Sequence, residues 1–191
     1  IVVNLPEAPA NILLDVSSVD ENSASGTVIG TLSAIDPDDG DEQTFQLLDD
    51  AGGRFVLVNN QLQVGNGSLL DHESAVAHDI LVRATDSTGL SFDKTLSIGI
   101  NNVNEHPSAI TLTSAGVYEL GADGETVGSL STADPDHDTQ FSYLLLDDAG
   151  GRFSLRGNEI LVANASLIDF ETNPTHVIKV RSTDQGGLSV D

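Results

Sequence analysis

The chain contains no cysteine, no methionine and no tryptophan, and aromatic residues make up only 4% of its 191 positions. Without cysteine, neither disulfides nor thiolate metal sites nor thiol redox chemistry is available. Cations are scarce too: seven Lys and Arg stand against thirty Asp and Glu, a formal net charge of −23. A surface of that sign repels nucleic acid and anionic membranes, so neither is expected as a partner. No apolar run approaches the length of a membrane span, and no secretory leader opens the chain. What remains is 39% hydrophobic residues, mostly Val, Ile and Leu, set among Gly, Ser, Thr, Asn and Asp. That mixture predicts aliphatic cores built from short strands and many turns.

The chain repeats itself. Leu47–Phe55, reading LLDDAGGRF, recurs letter for letter at Leu145–Phe153, 98 positions later. In the same register Asp36-Pro37-Asp38 pairs with Asp134-Pro135-Asp136, Asp71-x-Glu73 with Asp169-x-Glu171, and Arg83-x-Thr85-Asp86 with Arg181-x-Thr183-Asp184. Matches at constant spacing across a whole copy predict two homologous domains. The expected division is 1–8 as the remnant of a preceding linker, 9–101 as repeat 1, 102–107 as the inter-repeat linker, and 108–191 as repeat 2 with its last strand cut short. The register thus predicts a longer parent array.

Apolar residues alternate with polar ones at Ile12, Leu14 and Val16, at Val28, Gly30, Leu32 and Ala34, and at Ile80, Val82 and Ala84. Phe55 and Leu57, Leu62 and Val64, and Leu96, Ile98 and Ile100 do the same. A period of two predicts half-buried antiparallel strands, and about seven of them per copy fit an all-β, immunoglobulin-like sandwich. Gly52-Gly53 and Asn59-Asn60 are expected turns, with Gly52-Gly53 inside a hairpin leading to the Phe55 strand. Asn66-Gly67-Ser68 and Asn164-Ala165-Ser166 fit a glycosylation pattern, but their recurrence in register favours a turn or cap. His78 and His176 stand at equivalent strand starts and read as packing or surface residues, while His72 and His106 have no expected role.

The carboxylates gather where strands stop. Glu21 follows the first apolar run, Asp36 and Asp38 end the second, Asp71 and Glu73 lie beyond a non-strand stretch, and Asp86 ends the Ile80–Ala84 strand. Loop carboxylates, amides and free carbonyls suit a hard cation, and Ca²⁺ takes about six to eight oxygens in flexible geometry.

With these residues in view, the sequence resembles the cadherin repeat, in the bacterial cadherin-like form found in large surface or RTX-type adhesins. Glu21-Asn22 matches the Glu-Asn of that family, and Asp36-Pro37-Asp38 its Asp-x-Asp. Gly53-Arg54-Phe55-Val56-Leu57 matches its Gly-x-Phe stretch, Leu70-Asp71-His72-Glu73 its Leu-Asp-x-Glu, and Ala84-Thr85-Asp86 its Ala-x-Asp. Asn102-Val103-Asn104-Glu105-His106-Pro107 matches the linker loosely. The resemblance implies two tandem cadherin-type, Greek-key, seven-stranded β-sandwiches joined end to end by a calcium-binding linker.

It also implies ligands. At the complete junction these are Glu21, Asp71, Glu73, Asn102, Val103 through its backbone, Asn104, Glu105, Asp134, Asp136 and Asp184. Glu7, Asp36, Asp38 and Asp86 form an N-terminal half-site, where Pro6 replaces the linker Asn; Glu119, Asp169 and Glu171 form a C-terminal one. Repeat 2 departs from the pattern with Leu120 in place of Asn22 and Ser182 in place of Ala84. The expected function is a non-enzymatic, extracellular or cell-surface extender module stiffened by Ca²⁺. Its expected partners are neighbouring repeats of the same chain and a cell-surface glycan or protein. Two alternatives stand beside it: direct recognition of polysaccharide or of a like domain, and an accessory module of a secreted enzyme.

Overall fold

Asp15 decides how the first apolar run folds. Its Oδ1 accepts the Val16 amide at 2.8 Å and the Thr31 amide at 2.6 Å, which ends the strand. The run expected through Val16 therefore stops as β1 (Asn11–Leu14), and Val16 is exposed. The chain then moves to the opposite sheet as β2 (Ser18–Asp20). Gly30 makes the crossing possible, because a Cβ there would run into the Val16 carbonyl.

In this computed structural model the described residues are all but 1–4, 39, 41, 114, 115 and 138. The first four residues of the expected linker remnant thus lie outside the description. The chain divides into two compact units, 1–103 and 104–191.

In the first unit, β3 (Val28–Ile35), β4 (Thr44–Asp49), β5 (Phe55–Val58), β6 (Gln61–Val64), β7 (Ala77–Thr85) and β8 (Ser91–Asn101) complete two four-stranded sheets. Their orders are β1-β3-β6-β5 and β2-β8-β7-β4, with β2 and β8 parallel and the other pairs antiparallel. The described strands number eight rather than the expected seven, because the first run is shared between the sheets. A bulge between Val28 and Gly30 shifts the phase of β3, so Ile29 is buried where the alternation pointed to Val28. Ile12, Leu32, Phe55, Leu62, Val64, Ile80, Val82, Ala84 and Ile98 form the core between the sheets. Full burial stabilises each larger aliphatic side chain by about 1.5–3 kcal/mol.

The second unit repeats this plan with β9 (Ala109–Thr113), β10 (Thr126–Ala133), β11 (Ser142–Asp147), β12 (Phe153–Arg156), β13 (Glu159–Val162), β14 (Lys179–Thr183) and β15 (Ser189–Val190). Its sheets run β12-β13-β10-β9 and β11-β14-β15. Where β8 covers all of β7 in the first unit, β15 pairs only with Ser182 and Thr183 of β14. An apolar cleft of about 340 Å³ in this unit is lined among others by Val117, Phe153 and Ile178. The only helical residues described are two single 3₁₀ turns, Gly67–Leu69 and Ala165–Leu167.

The repeated DDAGGRF segment is not a hairpin. It links β4 to β5, which belong to different sheets, so it is a corner of the sandwich. Asp49 caps the Ala51 amide at 2.9 Å and Asp50 the Gly53 amide at 2.8 Å. Arg54 donates to the Ala51 and Leu69 carbonyls, and Asp147, Asp148 and Arg152 reproduce every one of these bonds. Three successive positive φ values, 56°, 71° and 86° at Ala51, Gly52 and Gly53, explain the paired glycines. Asn66 and Asn164 cap the 3₁₀ turns by accepting the Ser68 and Ser166 amides, as the turn-or-cap reading expected. His78 and His176 pack edge-on against Phe55 and Phe153.

Candidate metal centre

Each repeat carries a carboxylate cradle at its N-terminal face, built the same way twice. In the first unit the Glu7 amide donates to Asp38 Oδ2 at 2.7 Å, and the Asp38 amide donates to Asp36 Oδ1 at 2.9 Å. In the second, the Glu105 amide donates to Asp136 Oδ2 at 2.6 Å and the Asp136 amide to Asp134 Oδ1 at 3.0 Å. The Asp-Pro-Asp segment thus folds on itself at the end of β3 or β10 and captures the incoming chain.

Asp86 and Asp184, just past the ends of β7 and β14, are buried, 6% and 7% exposed. Asp86 Oδ1 accepts the Thr88 and Leu90 amides and the Thr88 hydroxyl, at 2.8, 2.9 and 2.8 Å. Asp184 Oδ1 accepts the Leu188 amide at 2.8 Å, and its Oδ2 accepts Asn104 Nδ2 at 3.1 Å. For Asp86, burial works to raise the carboxyl pKa but the bonds from Thr88, Leu90 and Gly89 outweigh it, so the net direction is down. Burial is likewise overcome at Asp184 by Asn104 and the amides of Leu188, Gly187 and Gly186. Both groups are held ionised.

Among the described residues, Asp36 Oδ2, Asp86 Oδ2 and Asp136 Oδ1 are buried carboxylate oxygens with no donor against them. Burying such an atom unpaired is costly, and native structures seldom do so without an ion or water. The donor sets are all oxygen, which fits a hard divalent cation such as Ca²⁺ and excludes a thiolate-type site.

The C-terminal face of each repeat holds a second group. Glu21, 3% exposed, accepts the His72 amide on Oε2 at 2.7 Å and the Val103 amide on Oε1 at 2.8 Å. Glu73 brings an oxygen within 4.8 Å of it. Asp71 uses both oxygens on Ser74, the amide first and then the hydroxyl, and these bonds lower its pKa. In the second unit Glu119, Asp169 and Glu171 place ligand atoms within 4.8 Å of one another, all exposed. There Glu119 accepts the Phe170 amide at 3.1 Å, as Glu21 accepts that of His72. Asn102 is exposed.

Two contributors escape a sequence reading. His72, expected to do nothing, donates its amide to Glu21 and sets Nδ1 2.6 Å from the Ile100 carbonyl. The Asp-x-Thr-Gly-Leu loop supplies the amides under Asp86, and the repetition of Gly-Leu two residues after Ser87 or Gln185 was its signal.

No family profile matches the chain. Human protocadherin gamma-C4 is 28% identical over 187 residues, covering 90% of this chain and 20% of that protein. Human cadherin-24 is 30% identical over 190 residues, covering 88% of this chain and 23% of that protein. The chain therefore spans about a fifth of the length of these curated relatives. The solved structure of human protocadherin-24 EC1-2 covers 95% of this chain and 89% of its own, with a TM-score of 0.73 and 18% identity. That of protocadherin gamma B7 extracellular cadherin domains 1-4 covers 96% of this chain and 49% of its own, with a TM-score of 0.64 and 22% identity. The chain has the cadherin-type β-sandwich fold in two tandem copies.

Proposed function

We propose that the chain is a non-enzymatic segment of an extracellular adhesion protein, in which Ca²⁺ bound by the linker and the facing carboxylates stiffens successive repeats. The observation that carries this reading is the duplicated cradle with its unpartnered buried oxygens at Asp36, Asp86 and Asp136. The proposed ligands of the complete site are Glu21, Asp71, Glu73, Asn102, Val103, Asn104, Glu105, Asp134, Asp136 and Asp184. The two outer sets, Glu7/Asp36/Asp38/Asp86 and Glu119/Asp169/Glu171, would serve further repeats.

The physical reason is charge. Two carboxylates 4 Å apart repel by about 4 kcal/mol at an effective dielectric near 20. A divalent ion cancels such repulsion, and at ten times its dissociation constant adds about 1.4 kcal/mol to the form that binds it. Extracellular calcium modules bind at about 10⁻⁴–10⁻³ M, so occupancy follows the calcium level outside cells.

The relatives named above are cadherins and protocadherins, which supports calcium-dependent adhesion and pairing with like repeats as the role of the parent protein. They are vertebrate proteins and lend no support to a bacterial, RTX-type origin. Direct polysaccharide recognition is the weaker alternative: one of the two tyrosines, Tyr143, is hydrogen-bonded to Thr132 beside the core instead of forming a stacking platform.

Thermal melting and small-angle scattering, each with Ca²⁺ and with chelator, test the reading. A higher melting temperature and a narrower distribution of shapes in Ca²⁺ are expected, and Asp136→Ala with Asp184→Ala should abolish the shape change while both sandwiches stay folded. Identical curves in Ca²⁺ and chelator would sink it.

A further inference from the structure

The sheet β1-β3-β6-β5 of repeat 1 has no Asp, Glu, Lys, Arg or His in any of its four strands. Each of the other three sheets carries charge. Asp79, Arg83 and Asp93 stand in the opposite sheet of repeat 1, Arg156 and Glu159 in the matching sheet of repeat 2, and Lys179 and Arg181 in the remaining one. In a chain of net charge −23 an uncharged sheet is the exception. Its side away from the core is apolar as well: Leu13, Ile35, Val56 and Val58 are 40–50% exposed there. Val56 pairs with Gln63 and Val58 with Gln61, and the two glutamine amides lie 3.5 Å apart. Apolar side chains gathered on one exposed face mark an interaction site.

Folding does not require these residues. At the same places, 98 positions on, repeat 2 has Thr111, Ala133, Ser154 and Arg156, in a sheet of the same strand order. Arg156 stands on the edge strand β12 and pairs with Glu159 at 2.7 Å. Charges of this kind keep exposed edges and faces from associating. Repeat 1 has Val58 and Gln61 instead.

We propose that the uncharged face of repeat 1 is a docking surface for the same face of a second copy of this chain, the two related by a two-fold axis. The contact rests on the adhesive reading above, of which it names the surface and the partner, but it needs no Ca²⁺. Charge selects the occupant. A Lys, Arg, Asp or Glu laid against this face would lose its water and meet no opposite charge. Two copies of so acidic a chain also repel one another except where both lack carboxylates. The face itself meets both conditions, and Gln61 and Gln63 suit self-pairing because an amide supplies donor and acceptor alike. With strands about 4.8 Å apart and about 3.3 Å per residue, the face is roughly 300 Å² in outline. Two such faces bury less than about 1,200 Å², which makes the contact weak and reversible.

Sedimentation equilibrium of the whole chain in chelator, at rising NaCl, tests this. A monomer–dimer equilibrium with a dissociation constant below about 1 mM is expected. It should tighten as salt screens the repulsion between copies. Leu13→Thr, Ile35→Ala and Val56→Ser together import the residues of repeat 2 without changing charge, and should weaken the dimer by about tenfold or more. Gln61→Glu, again the residue of repeat 2, should weaken it with less demand on the fold. Leu48→Ser, at an exposed position of the opposite sheet, should leave the constant unchanged. On concentrating the chain, amide resonances of β1, β3, β5 and β6 should move and those of β9, β10, β12 and β13 should not. A chain that stays monomeric to about 1 mM, a dimer that weakens with salt, or one that survives both the triple variant and Gln61→Glu overturns the proposal. So do shifts confined to β5, which would mean edge-to-edge strand pairing instead. The comparison of Ca²⁺ with chelator described above tests the calcium reading separately, since a monomeric chain could still respond to Ca²⁺ and a dimer could form without it.

Discussion

The two repeats share strand register almost residue for residue, yet at one place the core of the first is apolar where the second is polar. Ala34, Phe45 and Ala84 of repeat 1 become Thr132, Tyr143 and Ser182 in repeat 2. Phe45 pairs across the sheet with Ala84, as Tyr143 does with Ser182. Thr132 Oγ1 lies 2.7 Å from Ser182 Oγ and 3.0 Å from Tyr143 Oη, so the hydroxyls that replaced apolar atoms are bonded to one another. Ser182 is fully buried, as Ala84 is. The lesson is that a buried hydroxyl is tolerated only as part of a satisfied set, and the set has to change as a unit.

Gly67 and Ala165 show the same dependence on a partner. A Cβ on Gly67 would strike the Ser23 carbonyl, a backbone atom that cannot turn aside. In repeat 2 the residue matching Ser23 is Gly121, and Ala165 is accommodated there with its amide bonded to Asp123 at 2.7 Å. Gly67→Ala would merely import the residue of the sister repeat, yet it should destabilise repeat 1 by about 1–3 kcal/mol, the usual range for overpacking. Urea unfolding of the variant checks this, and a neutral result would show that the loop at Ser23 moves freely.

Next in size is the core exchange. Ala84→Ser alone should cost about 1–3 kcal/mol by burying an unpaired hydroxyl. Adding Ala34→Thr and Phe45→Tyr should recover most of that loss, as a double- and triple-variant cycle would measure. If Ala84→Ser costs the same with and without its companions, the three positions do not act as a set.

The smallest effect separates the surface ion pairs. In repeat 1 Asp93 accepts two bonds from Arg83, at 2.6 and 2.7 Å, and these hold its carboxyl pKa below the ordinary 3.8. In repeat 2 Asp191 is lowered by Arg181 first and by Lys179 as well, Lys179 standing where repeat 1 has Leu81. A depressed folded-state pKa means that the contribution is present above the unfolded value and is lost as pH falls through the folded one. Below pH 3.8 each pair should fade, Asp191 at lower pH than Asp93, and salt should weaken both because they are exposed. Carboxyl resonances followed from pH 5 downward would show the order, and coincident titrations would refute the role of Lys179.

Much of this molecule was legible in one dimension. The 98-residue register, the alternation at Ile80, Val82 and Ala84, and the carboxylates at strand ends all follow from local pattern, because period-two burial and turn chemistry are written in neighbouring residues. Asp36, Asp38 and Asp86 stand out in the sequence for the same reason, being repeated at fixed spacing as Asp134, Asp136 and Asp184. What escaped depended on residues distant in sequence. Asp15 stops β1 by reaching Thr31, the DDAGGRF corner changes sheets, His72 bonds Glu21 across 51 positions, and a Cβ at Gly186 would meet the Asn104 side chain.

The sequence by itself determined two aliphatic β-sandwiches of one lineage, with acidic ends and no means for thiol chemistry. Only the tertiary structure decided which carboxylate oxygens are buried without a donor and which of two matching loops admits an asparagine. The physical reason is that patterning acts through the nearest few residues, whereas desolvation and steric exclusion are set by whatever the fold brings alongside.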